Sequence, residues 1–379
     1  MPTLLTTQSP CGVIGNGATP PLSTARESVF SEAAQSNDGP VSVFQRLAFR
    51  LRVARATPIG LMIFGSIAAR PMIDNAMRNI LGEASWPVLW IEGAACHGAP
   101  LAGVQAFALR EGPVTPVVLG GRVVASCYKV GGMSLCWAGG ALPDDPGAAR
   151  DVQTTQAFRA LERALLAAGF ELGDLVRTWC YTRDLPAWRD AFNRARSALY
   201  SEVHFHTGAP PASTGISASN TAGSALVLAG LAVRPGPDGR GARVISSPLQ
   251  CPAPGCGSTF SRAMELQLGG SRRLLISGTA SIEPGGATAW KGELNSQIWL
   301  TMRVISAILG SRGMNWSDIN RSIAYFKSPD SVHAFENWCH DHRVINLPCI
   351  QLHCDMSRDD LLFELEADAE TMMPAPQTK

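Results

Sequence analysis

Gly169-Phe-Glu-Leu-Gly-Asp-Leu-Val-Arg-Thr-Trp-Cys-Tyr181 and Gly313-Met-Asn-Trp-Ser-Asp-Ile-Asn-Arg-Ser-Ile-Ala-Tyr325 decide the architecture. They align without a gap at a constant offset of 144 residues (169 to 313, 181 to 325), pairing Asp174 with Asp318, Leu175 with Ile319 and Arg177 with Arg321. The same offset carries on to Arg183 with Lys327 and Asn193 with Asn337. So many matches at one spacing mark an internal repeat rather than a chance likeness.

Working outward, each copy reads alike. Apolar residues at three- and four-residue spacing predict helices over Thr154–Ala168 and Leu294–Leu309, stopped by Gly169 and Gly313. Strands follow at Leu175–Tyr181 and Ile319–Phe326, then amphipathic helices at Ala187–Tyr200 and Ser331–Asp341. Closing strands fall at Ala225–Val233 and Leu361–Glu366, and strand-like runs at Arg122–Tyr128 and Arg273–Ile276 precede the first helix of each copy. The fold class is therefore α+β: two tandem divergent units, each a mixed β-sheet packed on one side by two helices. Pro87–Ile91 and Val114–Leu119 read as additional strands.

Residues 1–40, rich in Ser, Thr, Pro, Gly and Asn, read as a disordered leader. The Pro/Gly-rich patches at 235–242 and 251–257 place the boundary between halves there, giving an N-terminal domain with extra N-terminal strands over 41–242, a C-terminal domain over 243–372 and a tail over 373–379.

Composition sets limits. The 379 residues are 46% hydrophobic and 17% charged with a formal net charge of +1, so no strong field favours nucleic acid or an anionic membrane, although a small anionic substrate needs only a few placed arginines. Most of the ten cysteines sit singly in apolar runs, as Cys127, Cys136 and Cys180 do, which reads as reduced thiols in a cytoplasmic protein. Cys339, His340, His342, His353 and Cys354 have metal-ligand chemistry but no standard ligand spacing, so no metal is expected. No Gly-x-Ser-x-Gly elbow, dinucleotide fingerprint or phosphate-binding Gly-Lys-Ser/Thr loop is present, and no cofactor is expected. Ala56–Ala69, the most apolar stretch, is bounded by Arg55 and Arg70 and too short to span a bilayer.

Four stretches carry a family likeness: Ile276-Ser-Gly-Thr-Ala-Ser-Ile282; Phe260-Ser-Arg-Ala263; Arg177-Thr-Trp-Cys-Tyr181 followed by Phe192-Asn-Arg-Ala-Arg196; and Ser357-Arg-Asp-Asp-Leu-Leu-Phe-Glu-Leu-Glu366. In these, over roughly residues 85–370, the chain resembles the chorismatases, whose fold doubles that of the reactive-intermediate deaminases. The resemblance implies cleavage of the enolpyruvyl ether of chorismate to pyruvate and a hydroxybenzoate or a dihydroxycyclohexadiene carboxylate. It implies Glu364 and Ser357 as catalytic residues, with Glu364 the acid that protonates the enolpyruvyl methylene, and Tyr181, Arg196, Arg358, Gly278 and Ala280 as substrate-binding. The expected partner is a small carboxylate; by analogy with the trimeric single-copy family, the expected assembly is a homotrimer. Two departures stand out. Ser357 occupies a position that is Cys in hydroxybenzoate-forming members and Ala in diol-forming ones. Cys251-Pro-Ala253 and Ala253-Pro-Gly-Cys256 stand where Tyr and Arg runs precede the Phe-Ser-Arg-Ala motif, which favours a different substrate in secondary metabolism as an alternative.

On residue chemistry alone, Glu364 and Glu366 share one face of a strand in an apolar run. Either one is held protonated by burial and its neighbour, or both are solvated acids on an exposed face. The second reading fits a non-catalytic small-molecule-binding protein. Arg194 and Arg196, two apart on a helix, point to different faces, so one reaches a cleft or both remain surface charges. Arg358 lies beside Asp359 and Asp360, where a local ion pair competes with a ligand role.

Overall fold

The repeat is held by the residues that announce it. In the computed structural model, which describes residues 25–373 apart from 238, 240 and 253–258, the Asp174 and Asp318 carboxylates each accept from a backbone N–H three residues upstream, Glu171 at 2.9 Å and Asn315 at 2.8 Å. These close matching capping boxes on the short 3-10 turns that feed the repeat strands. Gly169 (φ +79°) and Gly313 (φ +66°) take the left-handed conformation that ends the preceding helix without a Cβ clash.

From these anchors two units build out. One is β8 (Met133–Ala141), α3 (Arg150–Ala167), β9 (Leu175–Thr182), α4 (Leu185–Ser201), β10 (Ala212–Ile216) and β11 (Leu226–Arg234); the other is β14 (Ser271–Ala280), α5 (Leu294–Ser311), β15 (Ile319–Phe326), α6 (Val332–Asp341), β16 (Cys349–His353) and β17 (Phe363–Met372). Strand order is the same in both: β10-β9-β11-β8 and β16-β15-β17-β14. The β9/β10 and β15/β16 pairs are parallel and the rest antiparallel. The first sheet extends through β7 (Arg122–Val130) and β6 (Thr115–Leu119); the second extends through β13 (Ala263–Leu268) and β12 (Ala242–Ile245).

Two expectations for the N-terminal region need correction. Residues 26–33 are not leader but a strand, β1 (Arg26–Ala33), antiparallel to β5 (Leu101–Arg110). Composition averaged over 40 residues hid one eight-residue strand whose Val29 and Phe30 are buried. Nor are residues 41–110 extra strands of the first repeat. With α1 (Pro40–Ala54), β2 (Ala56–Gly65), α2 (Arg70–Leu81), β3 (Val88–Glu92) and the two-residue β4 (Ala94–Ala95), they form a separate unit, the first of three in chain order. Its sheet, β3-β2-β5-β1 with β2 and β3 parallel, repeats the topology of the other two with no visible sequence likeness. The apolar run from Ala56 is its central strand. Residues 1–24 and 374–379 lie outside the described part.

Each sheet carries its two helices on its outer face over a separate apolar cluster. The inner faces of all three meet in one core that includes Met62 and Phe64, Trp137 and Trp179, and Leu275 and Ile323. Charges are sealed into the same interior. Glu366 is bound by Arg177 (2.7 Å) and Arg321, the two repeat-related arginines, and Arg273 joins Glu27 to Asp368 (3.0 Å). All six side chains are at most 2% exposed. A buried ion pair adds little net stability, but removing one partner strands the other charge, so this network fixes how the units dock. Among the described residues no helix is long and apolar enough to cross a membrane.

Candidate active site in the cleft between the repeats

The two repeat units do not close completely on each other. Between them lies a cleft with a cavity of ≈ 100 Å³. One wall is α4 and β10 of the first repeat, with Arg189, Phe192, Asn193, Arg196, Ser213 and Gly215; the other is β14, β17 and the segment before β17, with Gly278, Ala280, Ser357, Arg358 and Glu364, and with Phe260 and Arg262 arriving ahead of β13. Helical periodicity explains the first wall: 189, 193 and 196 stand at spacings of four and three, so their side chains share one helix face. Arg194 is exposed and Arg196 is 4% exposed, so only Arg196 of that pair turns inward.

Strand alternation and a bulge explain the second wall. Glu364 and Glu366 occupy one face of β17, and both are buried, at 4% and 0% exposure. Their surroundings differ. Glu366 is neutralised by Arg177 and Arg321 and accepts from the Thr214 hydroxyl. Glu364 has no ion pair or hydrogen bond among the described residues, and burial foremost, then the Glu366 charge, push its carboxyl up to about 8 against the pull of Arg177, Arg262 and Arg358. Opposite it the β14/β17 register slips between Ile276 and Thr279. This bulge brings Gly278 so close that a Cβ there would collide with Glu364 Oε1 and stand 3.1 Å from Thr214 Cγ2. The Gly278 N–H donates to Thr214 Oγ1 at 3.0 Å, tying the bulge to the buried network.

The cleft is basic. Arg262 packs over Phe260 at 5.3 Å, and Arg196 lies over Phe192 at 5.0 Å and Phe260 at 5.9 Å. Burial first, and then the neighbouring Arg358 charge, pull the Arg262 guanidinium down to about 10; burial and Arg189 pull Arg358 down as well. Among the described residues no carboxylate forms an ion pair with Arg196, Arg262 or Arg358. Arg196 Nε is buried without a hydrogen-bond partner there. The anticipated competition for Arg358 does not arise: it donates to the Gly286 carbonyl at 2.8 Å, while Asp360 pairs with Lys291 at 3.0 Å. Arg189 is partly exposed and pairs with Asp190 at 3.6 Å, whereas Arg196 and Arg262, buried, and Arg358, half-buried, are complementary to a small anion, because guanidinium binds carboxylate through paired hydrogen bonds.

Of the residues singled out in the sequence, the structure brings together Glu364, Ser357, Arg358, Arg196, Gly278 and Ala280. It does not bring Tyr181 to the cleft. That side chain lies in the central core, its hydroxyl 3.3 Å from that of its repeat mate Tyr325. Every residue of β9 is buried, so alternation alone did not say which face meets a ligand. Sequence reading passed over Arg189 and gave no role to Phe192, Asn193 and Arg262, although the last three lie in stretches that carry the family likeness and the α4 group was there to be read as one helix face. Of the stretch 251–256, read as a departure from the resembled family, residues 253–256 lie outside the described part. Cys251 is disulfide-bonded, unlike the seven free cysteines among the described residues. Among the described residues no three His, Cys, Asp or Glu side chains are grouped to hold a metal; Cys339 packs against the core of its unit and His342 stacks on Trp338 at 4.1 Å.

No protein-family model and no curated protein matches the chain. Among solved structures it is similar to a chorismatase crystal structure with a TM-score of 0.64 and 18% identity, over 91% of this chain and 98% of that one. Shorter likenesses include a putative endoribonuclease L-PSP from Entamoeba histolytica (TM-score 0.29, 19% identity, 34% of this chain and 99% of that one) and E. coli TdcF with bound serine (0.27, 20%, 32% and 94%). The chain therefore has the fold of a chorismatase, built in this α+β molecule from three units of one sheet topology.

Proposed function

We propose that the chain is a chorismatase-like enzyme that cleaves the enolpyruvyl ether of chorismate. The observation that carries the reading is Glu364: a buried carboxyl without an ion-pair partner among the described residues, lining a cleft it shares with Arg189, Arg196, Arg262 and Arg358.

The chemistry follows from the site. An enol ether hydrolyses by taking a proton on its terminal methylene carbon, which leaves an oxocarbenium ion. A carboxyl with a pKa near 8 is protonated at neutral pH and can deliver that proton. The carboxylate left behind faces the developing cation and stabilises it. The arginines neutralise the two substrate carboxylates and fix the ring. Water capture of the cation followed by collapse of the hemiketal gives pyruvate and a dihydroxycyclohexadiene carboxylate. Without net uptake of water, rearrangement within the ring gives pyruvate and a hydroxybenzoate. In this reading Ser357, half-buried at the cleft, orients the capturing nucleophile.

A substrate lacking two carboxylates would not call for so many cations, and a passive binding protein would not call for an acid left without a counter-ion; these features favour chorismate over both alternatives. The test is incubation with chorismate and detection of pyruvate, with the co-product resolved by chromatography. Pyruvate release that depends on Glu364 is expected, and no release above a Glu364→Ala control rejects the reading.

A further inference from the structure

The topology that forms the candidate active site between the second and third units also operates between the first and second. There α2 and β3 face β8 and β11 across a second cavity of ≈ 370 Å³, lined by Arg78, Trp86, Trp90, Arg122, Gly140 and Val227. The correspondence is one of register. Val227 is paired with Tyr181 as Glu364 is with Tyr325, and Gly140 stands at a bulge of β8 as Gly278 does in β14. By the same register Ala229 takes the place of Glu366. The strand that supplies the acid in one cleft supplies only apolar side chains in the other.

What the second cleft keeps is the capacity to hold a ligand. Trp86 and Trp90 are 8% and 6% exposed and form an aromatic wall. Trp90 Nε1 donates to Asp74 at 2.8 Å, and Asp74 also pairs with Arg70 at 3.1 Å, so that part of the wall is internally satisfied. Trp86 Nε1 is buried and has no hydrogen-bond partner among the described residues. Arg78 and Arg122 have no ion pair there either. Arg70 is paired with Asp74; counting Arg78, Arg122 and Glu83 as well, the lining carries three positive and two negative side chains, one positive charge in excess. That balance suits a monoanion rather than a dianion. An aromatic wall, an unsatisfied N–H and two available guanidiniums match a flat ring bearing a single carboxylate.

We propose that the cleft between the first and second units is a second ligand site, which binds a monocarboxylate with an aromatic or alicyclic ring and does not transform it. The inference stands on the pseudo-symmetry and the lining of this cleft, independently of the reaction at the other.

The test uses the full chain carrying Glu364→Gln and 3-hydroxybenzoate as the probe, with calorimetry and tryptophan fluorescence. Besides any equivalent held by the candidate active site, one equivalent per chain that weakens at least tenfold on adding Arg78→Glu and Arg122→Glu is expected. Its fluorescence change should shrink in Trp86→Phe, a variant that keeps the aromatic wall and leaves Trp90 as the remaining reporter. A titration left unchanged by Arg78→Glu with Arg122→Glu, or the absence of binding, overturns the proposal. Failure of the catalytic reading would appear separately, as a lack of pyruvate from chorismate.

Discussion

Replacing Glu364 with Gln keeps the shape of the side chain and removes only its ability to gain and lose a proton, so it separates two effects that the structure couples. The first is on rate. A positioned general acid contributes about 10²- to 10⁴-fold, and the variant should lose that factor in kcat, with KM little changed because the arginines remain. The second is on stability, with the opposite sign. The native protein holds the Glu364 proton up to about pH 8, whereas the ordinary value is 4.5. Between those pH values the folded state binds a proton that the unfolded chain has released. Wild-type stability therefore falls as pH rises through that window and this contribution levels off above it. The gap between 4.5 and about 8 corresponds to about 5 kcal/mol. Gln titrates nowhere, so Glu364→Gln should match wild type near pH 4.5 and exceed it by up to about 5 kcal/mol at pH 9. Urea unfolding at the two pH values reads the difference, and all other titrating groups cancel between the two proteins. A variant no more stable than wild type at pH 9, or one that loses less than tenfold in kcat, refutes the reasoning.

Gly278→Ala forces a Cβ against Glu364 Oε1, and should destabilise the protein by about 1–3 kcal/mol and lower kcat; thermal unfolding and pyruvate release measure the two. Arg262→Ala removes a charge that lowers the Glu364 pKa, so the alkaline limb of the kcat/KM profile should move to higher pH, while loss of a charged hydrogen bond raises KM about ten- to a hundredfold. Glu366→Ala leaves Arg177 and Arg321 buried without their shared partner and should cost about 3–5 kcal/mol in urea unfolding.

The repeat was legible because Asp174/Asp318 and Gly169/Gly313 do the same backbone work twice, and backbone work constrains residue type. The N-terminal unit was not, because it shares a topology with the repeats but not those markers; a strand order is fixed by which sheet faces meet, and many sequences satisfy it. The shared face of Glu364 and Glu366 followed from strand alternation, but their unequal fates did not. Arg177 lies 189 residues from Glu366, and which of two acids receives the guanidiniums depends on how separate units dock. Tyr181 illustrates the converse. Its strand is buried on both faces, so its period carried no information about the cleft, and the repeat sets it against Tyr325 instead. Arg189, Asn193 and Arg196 could have been grouped by helix spacing, whereas the arrival of Arg262 from the other unit could not.

The protonation state of Glu364 is open to direct observation in the resting protein. Difference infrared spectroscopy of wild type against Glu364→Gln, titrated from pH 6 to 10, isolates that one group. A protonated carboxyl band present at neutral pH, lost with a midpoint near pH 8 and absent from the variant is the predicted result. A Glu364 carboxylate already ionised at pH 6 would contradict the proposed acid and the mechanism built on it.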